Sequence, residues 1–171
     1  MLISLQLLNA AAPESFTEAL SGIFEHSPWI PQRASQSVPF ESFDALYDTL
    51  CTVVDDAEEA EQLKLIRAHP DLSGKLAVAG KLTEHSTEEQ QSARLDQLSP
   101  ERFEEINAMN DAYKARFAFP FIICVKDHTQ DSIFENFRER LRNDISTELT
   151  AALTQIKRIG WHRLTGTVVQ S

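Results

Sequence analysis

The chain has 171 residues, about one domain's worth, and its 42% apolar and 25% charged residues are enough for one packed core and exclude wholesale disorder. Acidic residues outnumber basic ones 26 to 16, giving a net charge of −10; phosphate backbones and anionic lipid are repelled, so nucleic acid is not an expected partner. The apolar start, Met1 to Leu8, has no basic n-region, since the first basic residue is Arg33, and the longest apolar run, Phe117 to Val125, holds nine residues against the roughly 20 a bilayer span requires. The expectation is a soluble, cytoplasmic protein with no membrane association.

Only 5 Gly and 7 Pro occur, and the prolines fall mostly between periodic segments, which predicts an all-α fold: a single domain over 1–171 of about seven to nine helices. The first helix starts at Pro13 and presents Phe16, Ala19, Leu20, Ile23 and Phe24 on one face. A second, from Ser42, carries Phe43, Leu46, Leu50 and Val53. The acidic cluster Asp55, Asp56, Glu58, Glu59 and Glu61 opens a third, where negative charge suits the positive helix end. It continues through Leu63 and Ile66 and stops near His69, because Pro70 pushes the residue before it out of the helical region. Ser99-Pro100 launches a helix with Phe103, Ile106, Asn110, Tyr113 and Phe117 on one side, so Asn110 is expected to be buried and hydrogen-bonded. Ile122 to Val125 is short and β-branched, and is read as a buried extended segment near 121–125. Two last helices run from Asp131 to Arg142 and from Ile145 to Leu164, the second with the stripe Ile145, Leu149, Ala152, Leu153, Ile156 and Ile159. Cys51 and Cys124 lie among apolar neighbours with no metal or redox spacing, and are expected to be reduced packing residues.

Three strings can carry chemistry. In Ala68-His69-Pro70-Asp71-Leu72-Ser73-Gly74 the imidazole, which titrates near ~6.5 when unperturbed, is a candidate general acid or base; the structural alternative is a helix end followed by a turn. His-Pro-Asp is also the signature of the J-domain of a class of co-chaperones, but that module presents it after a strongly basic helix, and the preceding segment here is acidic. In Ser86-Thr87-Glu88-Glu89-Gln90-Gln91, Ser86 and Glu89 have the spacing of a capping box; the functional alternative places Ser86, Glu89 and Gln90 at an exposed helix N-terminus around a polar ligand. In Arg138-Glu139-Arg140-Leu141-Arg142, Arg140 lies about 75° from the centre of the face defined by Ile133, Phe134, Phe137 and Leu141, and Arg142 about 125°. Arg140 therefore reaches a partly buried pocket, either as a guanidinium for an anion or as an i,i+4 partner of Asp144. His85 beside Glu84 and Glu88 has no supporting His-x-x-x-His or Cys-x-x-Cys spacing, so no metal is expected.

Read together, His69-Pro70-Asp71-Leu72-x-Gly74, Ser86-x-x-Glu89-Gln90, Asn110-x-x-Tyr113-x-x-Arg116-Phe117-x-Phe119-Pro120-Phe121 and Arg140-Leu141-x-Asn143 resemble the 2-oxo-4-hydroxy-4-carboxy-5-ureidoimidazoline (OHCU) decarboxylases of uric acid breakdown. The resemblance covers most of the chain, with one departure at Ala118, where glycine is common in the family. It implies an all-α fold, a small ureidoimidazoline as substrate, decarboxylation to (S)-allantoin without a cofactor, and a homodimer. It implies catalytic roles for His69, Glu89 and Arg140, with His69 as the proton donor. Pro70, Ser86, Glu89, Gln90, Arg140 and the segment Phe121, Ile122, Ile123, Cys124 and Val125 would contact the substrate. A reading from a different class is a non-catalytic helical binding module, J-domain-like or an inactive relative. Nothing at the C-terminus, Val168-Val169-Gln170-Ser171, matches a Ser-Lys-Leu peroxisomal address.

Overall fold

Hydroxyl side chains and prolines set most of the helix starts. The computed structural model describes residues 2–170, save the side chains of Lys75 and Leu76. Ser4 accepts from the Leu7 amide and caps α1, Leu5–Asn9; Pro13 takes the first position of α2, Pro13–Ala19, where its missing N–H costs nothing. α3, Trp29–Ala34, follows, then α4, Phe43–Asp55, capped by Ser42. In α5, Glu59–Arg67, acidic residues occupy the first turn and Lys64 and Arg67 the last, both favourable to the helix dipole. The short α6, Lys75–Val78, precedes α7, Glu84–Ser92, capped by Thr83, and α8, Pro100–Phe117, capped by Ser99 with proline at its start. Thr129 and Ser132 form a capping box on α9, Gln130–Arg140, and α10 is Ile145–Thr165. The remaining regular structure among the described residues is three short 3₁₀ turns and a two-residue parallel ladder, β1 Ile3–Ser4 on β2 Val168–Val169, with Ile3 opposite Val168. The all-α expectation holds.

The described residues group into two compact units, 2–68 with 157–170, and 69–156. The first packs Leu8, Phe16, Leu20, Ile23, Phe24, Ile30, Leu46, Leu50, Val54, Leu65 and Ile66 as its core. Here α2 ends at Ala19 rather than running on to Phe24. Ser21 donates its hydroxyl to the Glu18 carbonyl at 2.8 Å and Gly22 follows, two residues that favour a turn over another helical turn. Leu20, Ile23 and Phe24 are buried all the same. On α4 the buried member is Val54 instead of Val53. Arg163 and Glu25 form an ion pair at 2.8 Å with both side chains 2% exposed.

The second unit is built around α8, whose buried residues are Ile106, Met109, Asn110, Tyr113 and Phe117; Phe103, expected on the same stripe, is 40% exposed. Tyr113 is the hub of an aromatic cluster, with ring centroids 4.5 Å from Phe117, 5.9 Å from Phe119, 5.4 Å from Phe121 and 5.9 Å from Phe137. The helix stops at Ala118, which adopts a left-handed conformation with φ 60°. Past Phe119-Pro120 the chain runs irregular and buried through Phe121 to Cys124 before a 3₁₀ turn, Val125–Asp127, which matches the extended segment read from the sequence up to Cys124. Its backbone needs partners that no ladder supplies, and the Cys124 amide finds one in the side chain of Gln155, at 2.9 Å.

Among the described residues no helix is long and apolar enough to cross a membrane.

Candidate functional site

Every residue nominated from the sequence as a site residue falls in the second unit. His69 and Pro70 are half-buried at its start, just past the Ala68 C-cap of α5. The loop that follows is pinned from several directions. Gln90 accepts from the Ser73 amide at 3.0 Å and donates to the Asp71 carbonyl at 3.4 Å. Asn110 donates to the Leu72 carbonyl at 2.9 Å, Lys114 pairs with Asp71 at 2.5 Å, and the Ser73 hydroxyl donates to the Leu95 carbonyl at 2.7 Å. Gly74 is required by a close approach: a Cβ there would stand 2.8 Å from the Asp71 Cβ. The loop after His69 is thus held at several points rather than being a plain connection, and the buried amide of Asn110 has its use.

Ser86, Glu89 and Gln90 are arranged differently from the expectation. The N-cap of α7 is Thr83, whose hydroxyl accepts from the Ser86 amide at 3.3 Å. Ser86 therefore lies at the third position of the helix, buried rather than at an exposed N-terminus, and the expected Ser86–Glu89 cap is replaced by one on Thr83. With the helix beginning three residues earlier, Ser86 and Gln90, four apart, fall on one buried face, and Glu89 is half-buried beside them. That helix packs on the 3₁₀ turn 125–127. Burial, the Asp127 carboxylate and, more weakly, the Glu89 carboxylate push the Cys124 thiol up to about 12, so Cys124 is a protonated packing residue and no nucleophile.

Arg140 closes the arrangement. It ends α9, and because the chain leaves the helix at Leu141, Asp144 is no longer its i+4 neighbour; Asp144 instead accepts from the Thr147 amide at 2.7 Å. The guanidinium of Arg140 donates from Nε to Glu148 Oε1 at 2.9 Å and from Nη1 to the Ile122 carbonyl at 2.6 Å. Its Cζ lies 4.4 Å over the Phe121 ring, which stacks on Phe137 at 3.8 Å. Nη2 is buried and has no hydrogen-bond partner.

Glu148 is the residue that sequence reasoning missed. It is fully buried, 0% exposed, and three side chains donate to it: Tyr113 Oη to Oε1 at 2.5 Å, Arg140 Nε to the same oxygen, and Asn143 Nδ2 to Oε2 at 3.0 Å. Arg116 in turn donates to the Asn143 carbonyl at 2.9 Å. Burial first, and then the bond to Glu148, hold the Tyr113 phenol well above its usual value, so it stays a donor. The spacings Tyr113-x-x-Arg116 and Arg140-x-x-Asn143 acquire a physical meaning: both strings converge on one carboxylate. A signal existed. By the same 100° arithmetic that singled out Arg140, Glu148 lies about 75° from the centre of the predicted α10 stripe.

A profile described as OHCU decarboxylase matches residues 9–165. The chain belongs to the OHCU decarboxylase family. A 2-oxo-4-hydroxy-4-carboxy-5-ureidoimidazoline decarboxylase from Haloferax volcanii is 40% identical over 162 residues, covering 95% of this chain and 94% of that protein. One of the same name from Xenopus laevis is 31% identical over 157 residues, covering 92% and 90%. A uric acid degradation bifunctional protein from a Bacillus species is 37% identical over 163 residues, and there this chain matches 32% of the longer protein. Among solved structures, an (S)-allantoin synthase superposes with a TM-score of 0.79 at 23% identity over 97% of this chain and 54% of its own. An OHCU decarboxylase crystallised in the presence of (S)-allantoin gives 0.71 at 21% identity over 86% and 96%. Both share the fold of this OHCU decarboxylase family member.

Proposed function

We propose that the protein decarboxylates OHCU to (S)-allantoin, with His69 as the general acid and Arg140 as the group that binds developing negative charge. The observation that carries this reading is the Arg140 guanidinium: two of its nitrogens are committed to the protein, it is stacked on Phe121, and Nη2 is left as a buried donor. A buried donor without an acceptor costs about 1–3 kcal/mol, and an anionic or carbonyl oxygen of a ligand removes that cost. Family membership supplies the substrate class and argues against the J-domain-like module, which has no use for such a guanidinium.

In this substrate the carboxylate sits beside an electron-accepting C=N. The C–C bond to the carboxylate breaks, its electron pair is delocalised into the ring, and carbon dioxide leaves. A proton from the His69 imidazole then reaches the adjacent ureido-bearing carbon, the former C=N carbon, on one face, while the hydroxyl on the carbon that lost carbon dioxide gives up its proton and becomes the carbonyl; the face of protonation fixes the configuration of the product. What the protein supplies is orientation and electrostatics. Ser86, Glu89 and Gln90 serve as hydrogen-bonding groups for the ureido or ring edge, and Pro70 and the backbone of Phe121 to Val125 shape the contact. The resemblance calls for no cofactor. Action as a homodimer in the cytoplasm completes the proposal; the free thiols of Cys51 and Cys124 suit a reducing compartment.

The test supplies purified protein with OHCU generated in situ from urate and follows circular dichroism. Decay faster than the spontaneous rate with an optically active product supports the decarboxylase; spontaneous decay to racemic allantoin overturns it.

A further inference from the structure

We infer that Glu148 is the positioning residue of the Arg140 site: clamped by Tyr113 and Asn143, it fixes the guanidinium so that Nη2 is the nitrogen offered to an anionic or carbonyl oxygen of the ureidoimidazoline. The inference rests on the substrate-binding role proposed for Arg140, and adds the machinery that aims it.

Three observations support it. First, a glutamate with 0% exposure on a helix is expensive to bury unless its oxygens are satisfied, and here both are, by three donors from three places in the chain: α8, the end of α9 and the connection before α10. Two of those donors, Tyr113 and Asn143, hold the carboxylate that holds the arginine. Second, the bond from Arg140 goes through Nε rather than a terminal nitrogen. Because the guanidinium is planar, a partner on Nε together with the Ile122 carbonyl on Nη1 fixes the plane and its rotation, and so the direction of Nη2. A side-on fork through Nε and Nη2 to a substrate carboxylate is thereby closed off. Third, Phe121 lies under the plane at 4.4 Å and is itself locked on Phe137, leaving the guanidinium little freedom to tilt. Sites held in this way lose no orientational entropy when the ligand arrives.

The clamp makes a slot shaped for a guanidinium, and that can be tested apart from catalysis. Arg140→Ala should bind methylguanidinium, read by calorimetry or as a rise in melting temperature, and Arg140→Ala with Glu148→Gln should bind it at least about tenfold more weakly. In the otherwise intact protein, Glu148→Gln should lower kcat/KM for OHCU by about a hundredfold per folded molecule. Tyr113→Phe keeps the ring and removes one donor, and should lower it by about tenfold with the melting temperature little changed; it serves where Glu148→Gln folds poorly. Equal methylguanidinium binding with and without Glu148, or Tyr113→Phe and Glu148→Gln both within about threefold of the parent in kcat/KM, overturns the inference. If the parent protein shows no decarboxylation, it is the proposed activity that falls, and the methylguanidinium comparison decides the clamp on its own.

Discussion

Two buried arginine–glutamate pairs, one in each compact unit, differ in a way that separates an ordinary structural ion pair from the one proposed to bind substrate. Arg163 and Glu25 meet at 2.8 Å with 2% exposure on each side, and Arg163 also donates to the Gly22 carbonyl. Arg140 and Glu148 meet at 2.9 Å with 11% and 0% exposure. By distance and burial they are alike. They differ in what is left over: Arg140 keeps a buried nitrogen with no acceptor, while its glutamate is satisfied by two further donors. Breaking either pair leaves a charge in the interior, but the second also keeps a buried donor that a ligand oxygen could fill. Burial of a charge is a weak guide to function; an unfilled hydrogen-bonding position on a rigidly held charge is a stronger one.

The comparison is sharpened first at His69, which opens the unit that holds the second pair. His69→Ala should reduce turnover by about 10²–10⁴-fold, the usual worth of a positioned general acid, while the melting temperature stays close to the parent's, since the loop is held by Gln90, Asn110 and Lys114 rather than by the imidazole alone. Near-normal production of optically active allantoin by this variant would remove His69 from the mechanism.

Glu25→Gln is the counterpart in the first unit. It should destabilise by about 3–5 kcal/mol, the range for breaking a buried pair, with kcat/KM per folded molecule unchanged. Urea unfolding alongside the circular dichroism assay separates the two effects. A variant that folds normally and loses turnover would erase the distinction drawn between the pairs.

How much of this was legible in the sequence follows the same division. Helix starts at Pro13, Ser42 and Ser99 were readable because a cap is a local event. The buried extended run at 121–124 was readable because its composition contradicts a helix. The α2 end was not, since Leu20, Ile23 and Phe24 keep helical spacing while Ser21 and Gly22 turn the chain. At α7 the cap is Thr83, three residues before the expected Ser86, and only the actual register shows that Ser86 is turned inward. Glu148 escaped because a carboxylate is assumed to face solvent. Its burial depends on donors 35, 8 and 5 residues away in sequence, a coincidence that no local pattern encodes.

That register error gives a smaller prediction inside one helix. Thr83→Ala removes the observed cap and should cost about 0.5–2 kcal/mol of stability with turnover retained. Glu89→Ala, at a half-buried position, should do the reverse: little change in the melting temperature and a large loss of turnover. If Glu89→Ala instead lowers stability and spares activity, the carboxylate is structural and the site loses one of its three proposed catalytic groups.

The smallest effect is expected at Ala118. Its φ of 60° is a conformation that costs an alanine about 1–2 kcal/mol and a glycine almost nothing; set against the greater flexibility glycine gives the unfolded chain, about 0.4–1 kcal/mol, Ala118→Gly should stabilise by roughly 0.5–1 kcal/mol. The consequence for the comparison lies downstream. Ala118 ends α8 only four residues before Ile122, whose carbonyl anchors Arg140. Because Phe119, Phe121 and Phe137 lock that stretch through the Tyr113 cluster, relaxing the cap should leave kcat/KM unchanged as the melting temperature rises. A rise in stability that comes with a fall in kcat/KM would mean that the strained cap itself sets the Ile122 carbonyl, and that Arg140 is aimed from the end of α8 as well as from Glu148.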